Sequence, residues 1–435
     1  MVLPQMLEFR GYEINEMKPN LEEGKIDIYL QRKNDKDFNC AKCGSKLHSK
    51  RGTYALKLRE MDLMGFKAFL HFFRLKGDCL NCKKARSEAV DFISAESPHI
   101  TKGLAWWLGK LCEITAVSRA GEFVGEAKMT MWRVDLARMK RMFKQYAIPE
   151  VTDIAVDEVY VRNKPQPEES RDDRFFTIIT DLKSRRVIWV EESRKKEALD
   201  RFFKKIGTAR CASIRVVACD QFSGFRLSVA EFCPNATLVW DRFHIMKKFE
   251  EAVNETRKMI HEKLAPSSQK DLIERTRGKY RFIFLKKASR RTAEESQHLK
   301  AVQKDNKLFY DLELIKERML TFFDQKNAED GLAVFKEIGQ WIREAGFPHL
   351  KSWFRRQARY WYIIKNYFTY RVTSALAEGT NNVIKTMKRK AFGYRNMEYF
   401  RLKILQVCGF LNSRHMLDTG LPTKRYIELV GCKIS

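Results

Sequence analysis

From Val151 the hydrophobic pattern changes period, and this change constrains the fold more than any other feature of the chain. VTDIAVDEVYV reads as a strand, RNKPQPEESRDD as a polar loop, and RFFTIITDL with RRVIWVEE as a hairpin turning across Lys183–Arg185. SRKKEALDRFFKKIG follows as an amphipathic helix with Ser193 as its cap. Then come a short strand ending at Asp220, the helix QFSGFRLSVAEF, and a strand ending at Asp241. The order is three strands, helix, strand, helix, strand. From Arg242 to about Tyr370 the pattern is helical and strongly charged, and Thr373–Lys390 and Asn396–Leu411 read as two further helices.

The acids in this pattern are placed for metal chemistry. Asp157 lies in the first strand and Asp220 ends the fourth. If those strands are adjacent and parallel, both carboxylates meet at one sheet edge. Two-metal phosphoryl transfer needs such convergence, to hold two hard cations ~4 Å apart. Magnesium or manganese suits oxygen donors of this kind. Glu378, on a helix followed by a basic face, is the third candidate. Asp241 is either a rival second carboxylate or the cap of the helix starting at Arg242. Glu158 is expected on the opposite side of its strand from Asp157.

Cys40-Ala-Lys-Cys43-Gly44 and Cys79-Leu-Asn-Cys82 are two C-x-x-C units. Each can present two thiolates from one tight turn, and together they supply the four soft ligands of a structural zinc. TYALKL and AFLHFFRLKG, between them, are strand-like. The other six cysteines read as buried thiols, and His48 and His71 as surface or packing residues.

AVSRAGEFVGEAKMTMWRVDLARMKRMF reads as helix, turn, helix, with Gly121 or Gly125 closing the first helix and Thr130 capping the second. The second would expose Arg133, Arg138, Lys140 and Arg141 to phosphates or base edges. Net charge supports a polyanionic partner. Of the +28 overall, residues 251–435 hold 37 Lys and Arg against 20 Asp and Glu, whereas 151–250 are nearly balanced. The densest basic run near a candidate acid is Lys385, Lys388, Arg389 and Lys390. No run of ~18 apolar residues is present, so a membrane span is not expected. The start of the chain lacks a basic-then-apolar export pattern, so a cytoplasmic, DNA-associated protein is expected.

These motifs together resemble the ISL-three family of bacterial insertion-sequence transposases over nearly the whole chain. The resemblance rests on C-A-K-C-G with C-L-N-C, Asp157-Glu158, Cys219-Asp220, Asp241-Arg242-Phe243-His244, and Glu378-Gly379-Thr380-Asn381-Asn382 followed by Ile384-Lys385 and Lys388-Arg389. It implies a multidomain α/β protein: a zinc ribbon (1–92), a helix-turn-helix (93–148), a ribonuclease H-like mixed-sheet core (149–241 and 371–412), a helical insertion (242–370) and a tail (413–435). It also implies an Asp157, Asp220, Glu378 triad using two magnesium or manganese ions, with zinc structural. Asp241, His244 and Asn382 are secondary candidates. The implied partners are element terminal inverted repeats, target DNA and a second copy of the chain. Two other functions compete: a catalytically idle DNA-binding regulator derived from such an enzyme, and a ribonuclease H-like nuclease or resolvase. The presence of all three acids disfavours the regulator, and the cysteine pairs and tandem helices disfavour the nuclease.

Overall fold

In Lys25–Arg32 (β2) and Lys67–Cys79 (β4) alternate side chains are apolar and buried: Ile26, Ile28 and Leu30 on one strand, Ala68, Leu70 and Phe72 on the other. That period-2 stripe stabilises a sheet with one covered face. The two strands pair parallel, with Ile26 opposite Ala68 and Ile28 opposite Leu70. Tyr12–Asn20 (β1) adds to β2, while Ser49–Arg59 (β3) and Lys84–Ser87 (β5) add to β4, giving a mixed five-stranded sheet. Tyr12, Leu58 and Phe92 complete its core.

The structure is a computed structural model that describes residues 9–33, 38–161, 170–264, 274–275, 278–372 and 375–411. The expected tail, 413–435, lies outside the described residues. The chain forms two compact units, Met1–Ala147 with Thr386–Ser435, and Ile148–Lys385.

In the first unit three helices follow the sheet: Lys102–Ile114 (α1), Val117–Val124 (α2) and Lys128–Lys144 (α3). Gly125 closes α2 at φ 66°, a left-handed conformation that costs glycine little. The cap of α3 is Ala127, so Thr130 lies inside the helix and does not start it. The helix Met397–Val407 also belongs to this unit. Its Tyr399 hydroxyl donates to the fully buried Asp135 of α3 at 2.7 Å, and its Lys403 ammonium lies 3.1 Å from the same carboxylate. A buried charge requires such partners.

In the second unit Asp153–Tyr160 (β6), Phe175–Asp181 (β7) and Arg186–Glu192 (β8) form an antiparallel meander. Val216–Cys219 (β9) joins β6 in parallel and Thr237–Trp240 (β10) joins β9 in parallel, so the order across the sheet is β10-β9-β6-β7-β8. The strands are near-continuous apolar runs because helices cover the sheet; Ile154, Ile179, Val187, Val190 and Val217 are fully buried. Lys196–Ile206 (α4), Thr208–Ser213 (α5) and Ser223–Phe232 (α6) make the crossovers. Lys195, not Ser193, caps α4; Ser193 sits at φ 77° in the bend before it.

The helical segment runs through Arg242–Leu264 (α7), Arg281–Leu285 (α8), Ala293–Asp305 (α9), Lys307–Leu320 (α10), Ala328–Ala345 (α11), Pro348–Arg359 (α12), Trp361–Ile364 (α13) and Tyr367–Tyr370 (α14). Phe249 of α7 packs on Trp353 of α12 with ring centroids 4.9 Å apart. Ala375–Lys390 (α15) follows. The chain is thus mixed α/β, with two mixed sheets and many helices. No described helix is long and apolar enough to cross a membrane.

Candidate active site and cysteine cluster

Register places three acids side by side. Val156 of β6 lies opposite Cys219 of β9, and Cys219 lies opposite Trp240 of β10. The next residue on each strand is an acid. Neighbouring strands are ~4.8 Å apart, so Asp157, Asp220 and Asp241 occupy one sheet edge with Asp220 in the middle. The Asp241 amide still donates to the Cys219 carbonyl at 2.9 Å, which carries the ladder to this edge.

Burial, and then crowding, shifts the protonation of the acids. Burial pushes the Asp157 carboxyl up to about 7, aided by the charges of Asp220, Asp241 and Glu158. Asp220 is also raised, by burial. The Phe222 amide, which donates to it at 2.9 Å, and the charges of His244, Lys248 and Arg194 act against that rise. Asp241 is buried and accepts the Phe243 amide at 3.0 Å, as a helix cap does. Its Oδ2 lies 3.5 Å from His244 Nδ1, and both atoms are buried without a hydrogen bond. Glu158, expected on the opposite side of the strand, is ion-paired to Arg194 at 2.9 Å yet still feels Asp220. Neighbouring carboxylate oxygens, one of them orphaned, are hard donors of the kind a divalent cation takes.

Glu378 is exposed on α15. One turn further, Asn381 is buried and its amide donates to Asp157 Oδ2 at 2.7 Å. The helix carrying Glu378 is therefore tied directly to the first acid. The three acids do not close into a cluster: among the described residues, only the four cysteines have ligand atoms all within 4.8 Å of one another. Of the two adjacent asparagines, the candidate Asn382 is exposed and Asn381 is buried.

A carboxyl whose pKa rises on folding holds its proton more tightly in the folded chain. The stability linked to Asp157 is therefore full below 3.8 and declines as pH rises through about 7. That gap corresponds to roughly 4 kcal/mol at most. In the presence of a chelator, Asp157→Asn should raise Tm by several degrees at about pH 8 and leave it unchanged near pH 4. An equal gain at both pH values, measured by calorimetry, would contradict this electrostatic account.

The cysteine cluster lies in the first unit. Cys40 Sγ and Cys82 Sγ are 3.9 Å apart, and Cys43 Sγ and Cys79 Sγ are 3.4 Å apart. A tetrahedron of Zn–S bonds of ~2.3 Å has edges of ~3.8 Å, so the four sulfurs already approximate its corners. The Lys42 amide points at Cys40 Sγ and the Cys82 amide at Cys79 Sγ, both at 3.4 Å. Gly44 and Lys83, directly after the two pairs, have φ of 75° and 50°. The left-handed step wraps the backbone around the sulfurs. The donor set fits a soft tetrahedral cation.

The four basic residues of α3 fare differently from one another. Arg133 is exposed. Arg138, expected to be exposed, is instead buried, where it donates to the Gly109 carbonyl at 3.2 Å and pairs with Glu113. The helix spacing that put it on the basic face could not reveal Gly109, whose missing side chain makes room for the guanidinium. Lys140 pairs with Glu398 at 2.7 Å, and Arg141 with Glu96.

Residues 154–404, more than half the chain, match the model of the ISL-three transposases. The chain belongs to the ISL-three transposase family. It is also similar to the transposase for insertion sequence element IS1001 of Bordetella parapertussis, 21% identical over 398 residues, covering 91% of this chain and 95% of that one. The transposase for IS1557 of Mycobacterium tuberculosis is 25% identical over 313 residues, 67% of each chain. This transposase's matched region contains all four acids at or beside the sheet edge and the helix bearing Glu378.

Proposed function

We propose that this transposase binds element ends and cuts and joins DNA phosphodiesters with Asp157, Asp220 and Glu378 as metal ligands. The observation that carries the reading is the parallel pairing of β6 with β9, which puts Asp157 and Asp220 side by side on adjacent strands. The sheet order, with the fourth and fifth strands added in parallel beside the first, supports a ribonuclease H-like core, with residues 242–370 proposed as its helical insertion. Two magnesium or manganese ions would activate the attacking oxygen and stabilise the leaving one. Asp157 and Asp220 would hold them from the strands and Glu378 from α15, while Asn381 holds the Asp157 carboxylate in place.

Residues 1–92 are proposed as a zinc ribbon with zinc at the four cysteines, and 93–148 as a helix-turn-helix in which α2, the turn at Gly125 and α3 face DNA, with Arg133 its clearest contact. Pairing of two ends would need a second copy of the chain. The test of the reading is cleavage of a duplex carrying the inverted repeats that flank the gene, dependent on added magnesium and abolished by chelation. Binding without cleavage under every metal condition would favour the idle regulator.

The basic end of α15 is assigned to DNA backbone. Lys385, Arg389 and Lys390 are exposed, and Lys385 follows Glu378 by two helical turns. The rival account is a solvated basic helix end favoured by the helix dipole. Salt response separates them, because each duplex phosphate neutralised contributes ~0.9 to the slope of log affinity against log salt. Lys385→Ala, Lys388→Ala, Arg389→Ala should lower that slope by about two to three. An unchanged slope with unchanged cleavage would make this run ordinary surface.

A further inference from the structure

Beside the acidic sheet edge lies a cavity of about 660 Å³ with a lining of opposite charge. It starts at Gln221 and Phe222, directly after Asp220, and includes Trp240, directly before Asp241. Five cations line it: Arg226, Lys248, Arg355, Arg356 and Arg359. Among the described residues, none of the five is ion-paired to a carboxylate. Three of them come from the last turn and a half of α12. Burial presses the Lys248 pKa down and Arg356 adds to this, while Asp220 and Glu251 oppose it. Five cations converging on one cavity suit an anion.

Aromatic surface is interleaved with this charge. Tyr360 packs at a tilt against Trp240 with centroids 4.9 Å apart, and the Arg226 guanidinium lies 5.8 Å from the Tyr360 ring centre. Phe222 adds a third ring. Spare hydrogen-bonding groups are also present. Trp240 is 3% exposed and its indole N–H has no acceptor. Gln357, beneath the same wall, is fully buried; it accepts from Gln221 at 2.7 Å and its own amide N–H₂ is unpartnered. A solvated basic face explains neither the concavity nor the buried donors.

Cations for phosphate and rings for stacking together describe a nucleotide. A duplex is too wide to enter, whereas a cavity of several hundred Å³ is of small-ligand size. We propose that this cavity takes a nucleotide of single-stranded DNA, unstacked from the duplex beside the phosphodiester being cut. The guanidiniums and Lys248 neutralise its phosphates, and Tyr360 stacks against its base. The proposal rests on the catalytic reading above for the identity of the neighbouring acids. Its binding test does not use catalysis, so either can fail alone.

The test uses the full chain in a chelator, with three fluorescent probes: a 12-nucleotide oligo(dT), a fully abasic 12-mer and a mixed-sequence duplex. Wild type should bind oligo(dT) about tenfold more tightly than the abasic strand, since stacking adds to backbone charge. Tyr360→Ala should erase most of that difference and leave duplex affinity unchanged, while Tyr360→Phe should retain it. The triple variant Arg355→Gln, Arg356→Gln, Arg359→Gln should reduce the salt slope on oligo(dT) by ~0.7 for each phosphate it no longer neutralises. The abasic comparison uses wild type alone, so it stands even where a variant folds poorly. Equal wild-type affinity for oligo(dT) and the abasic strand would overturn the proposal. So would equal weakening on single strand and duplex, which would make the cavity part of a duplex-binding face.

Discussion

Alanine at Asp157, Asp220 or Glu378 is expected to reduce metal-dependent cleavage of an element-end duplex by at least ~1,000-fold, since a metal ligand at a phosphoryl site contributes several kcal/mol to the transition state. Binding of the same duplex should change little, because it rests on basic side chains rather than on these acids. The loss should be larger than any reachable by raising magnesium. The decisive comparison is between Asp220 and Asp241. Both end parallel strands at the same edge, and Asp241 retains an orphaned oxygen. The assignment favours Asp220 because it lies between the other two on the sheet; each acid has one oxygen occupied by the amide two residues on, so that bond does not separate them. Asp220→Ala cleaving at the wild-type rate, with Asp241→Ala inactive, would show that the second ligand is Asp241. Asn381→Ala is expected to act through Asp157: weaker apparent magnesium affinity at preserved DNA binding, with activity partly restored at high magnesium.

The second large effect concerns the four cysteines. Metal analysis should find about one zinc per chain, and Cys40→Ser with Cys79→Ser should abolish it. A closed tetrathiolate site contributes directly to folding, because the unfolded chain holds no such site. The local core is small: Phe38, Leu47 and Leu75 surround Cys40 and Cys79. Loss of zinc should therefore unfold this part of the first unit, detectable as rapid amide exchange in Ser49–Arg59 and Lys84–Ser87. Retention of full zinc by the double variant would refute the assignment. Retention of exchange protection after zinc loss would show that the sheet of Tyr12–Arg32 and Lys67–Cys79 is sufficient by itself.

Much of the fold is legible in the residue pattern. The apolar run in VTDIAVDEVYV, the hairpin across Lys183–Arg185 and the apolar strands ending at Asp220 and Asp241 all reflect local burial requirements, and the local residue pattern records those directly. The C-x-x-C turns are also local, because both ligands of each half-site lie within four residues. Errors occur where long-range contacts override short patterns. Arg138 fits an exposed basic face by spacing, yet it enters a buried pair with Glu113 because Gly109, 29 residues earlier, leaves space for it. Thr130 and Ser193 are good capping residues in sequence, yet the helices start elsewhere. Capping contributes about 1 kcal/mol, less than the packing that sets where these helices begin.

The sequence by itself determined the class of site: which acids end which strands, which cysteines can share a metal, and where the positive charge accumulates. Tertiary structure alone decided how these parts combine. The pairing of β6 with β9, 63 residues apart at Val156 and Cys219, turns two isolated acids into neighbours with a carboxyl lifted to about 7. The hydrogen bond from Asn381 to Asp157 spans 224 residues. The basic cavity joins residues from Gln221 to Tyr360 that no motif connects. The physical reason is the same in each case. Side-chain periodicity reports whether a position is buried, but charge coupling and hydrogen bonding depend on which residue lies opposite, and only the folded chain supplies that partner.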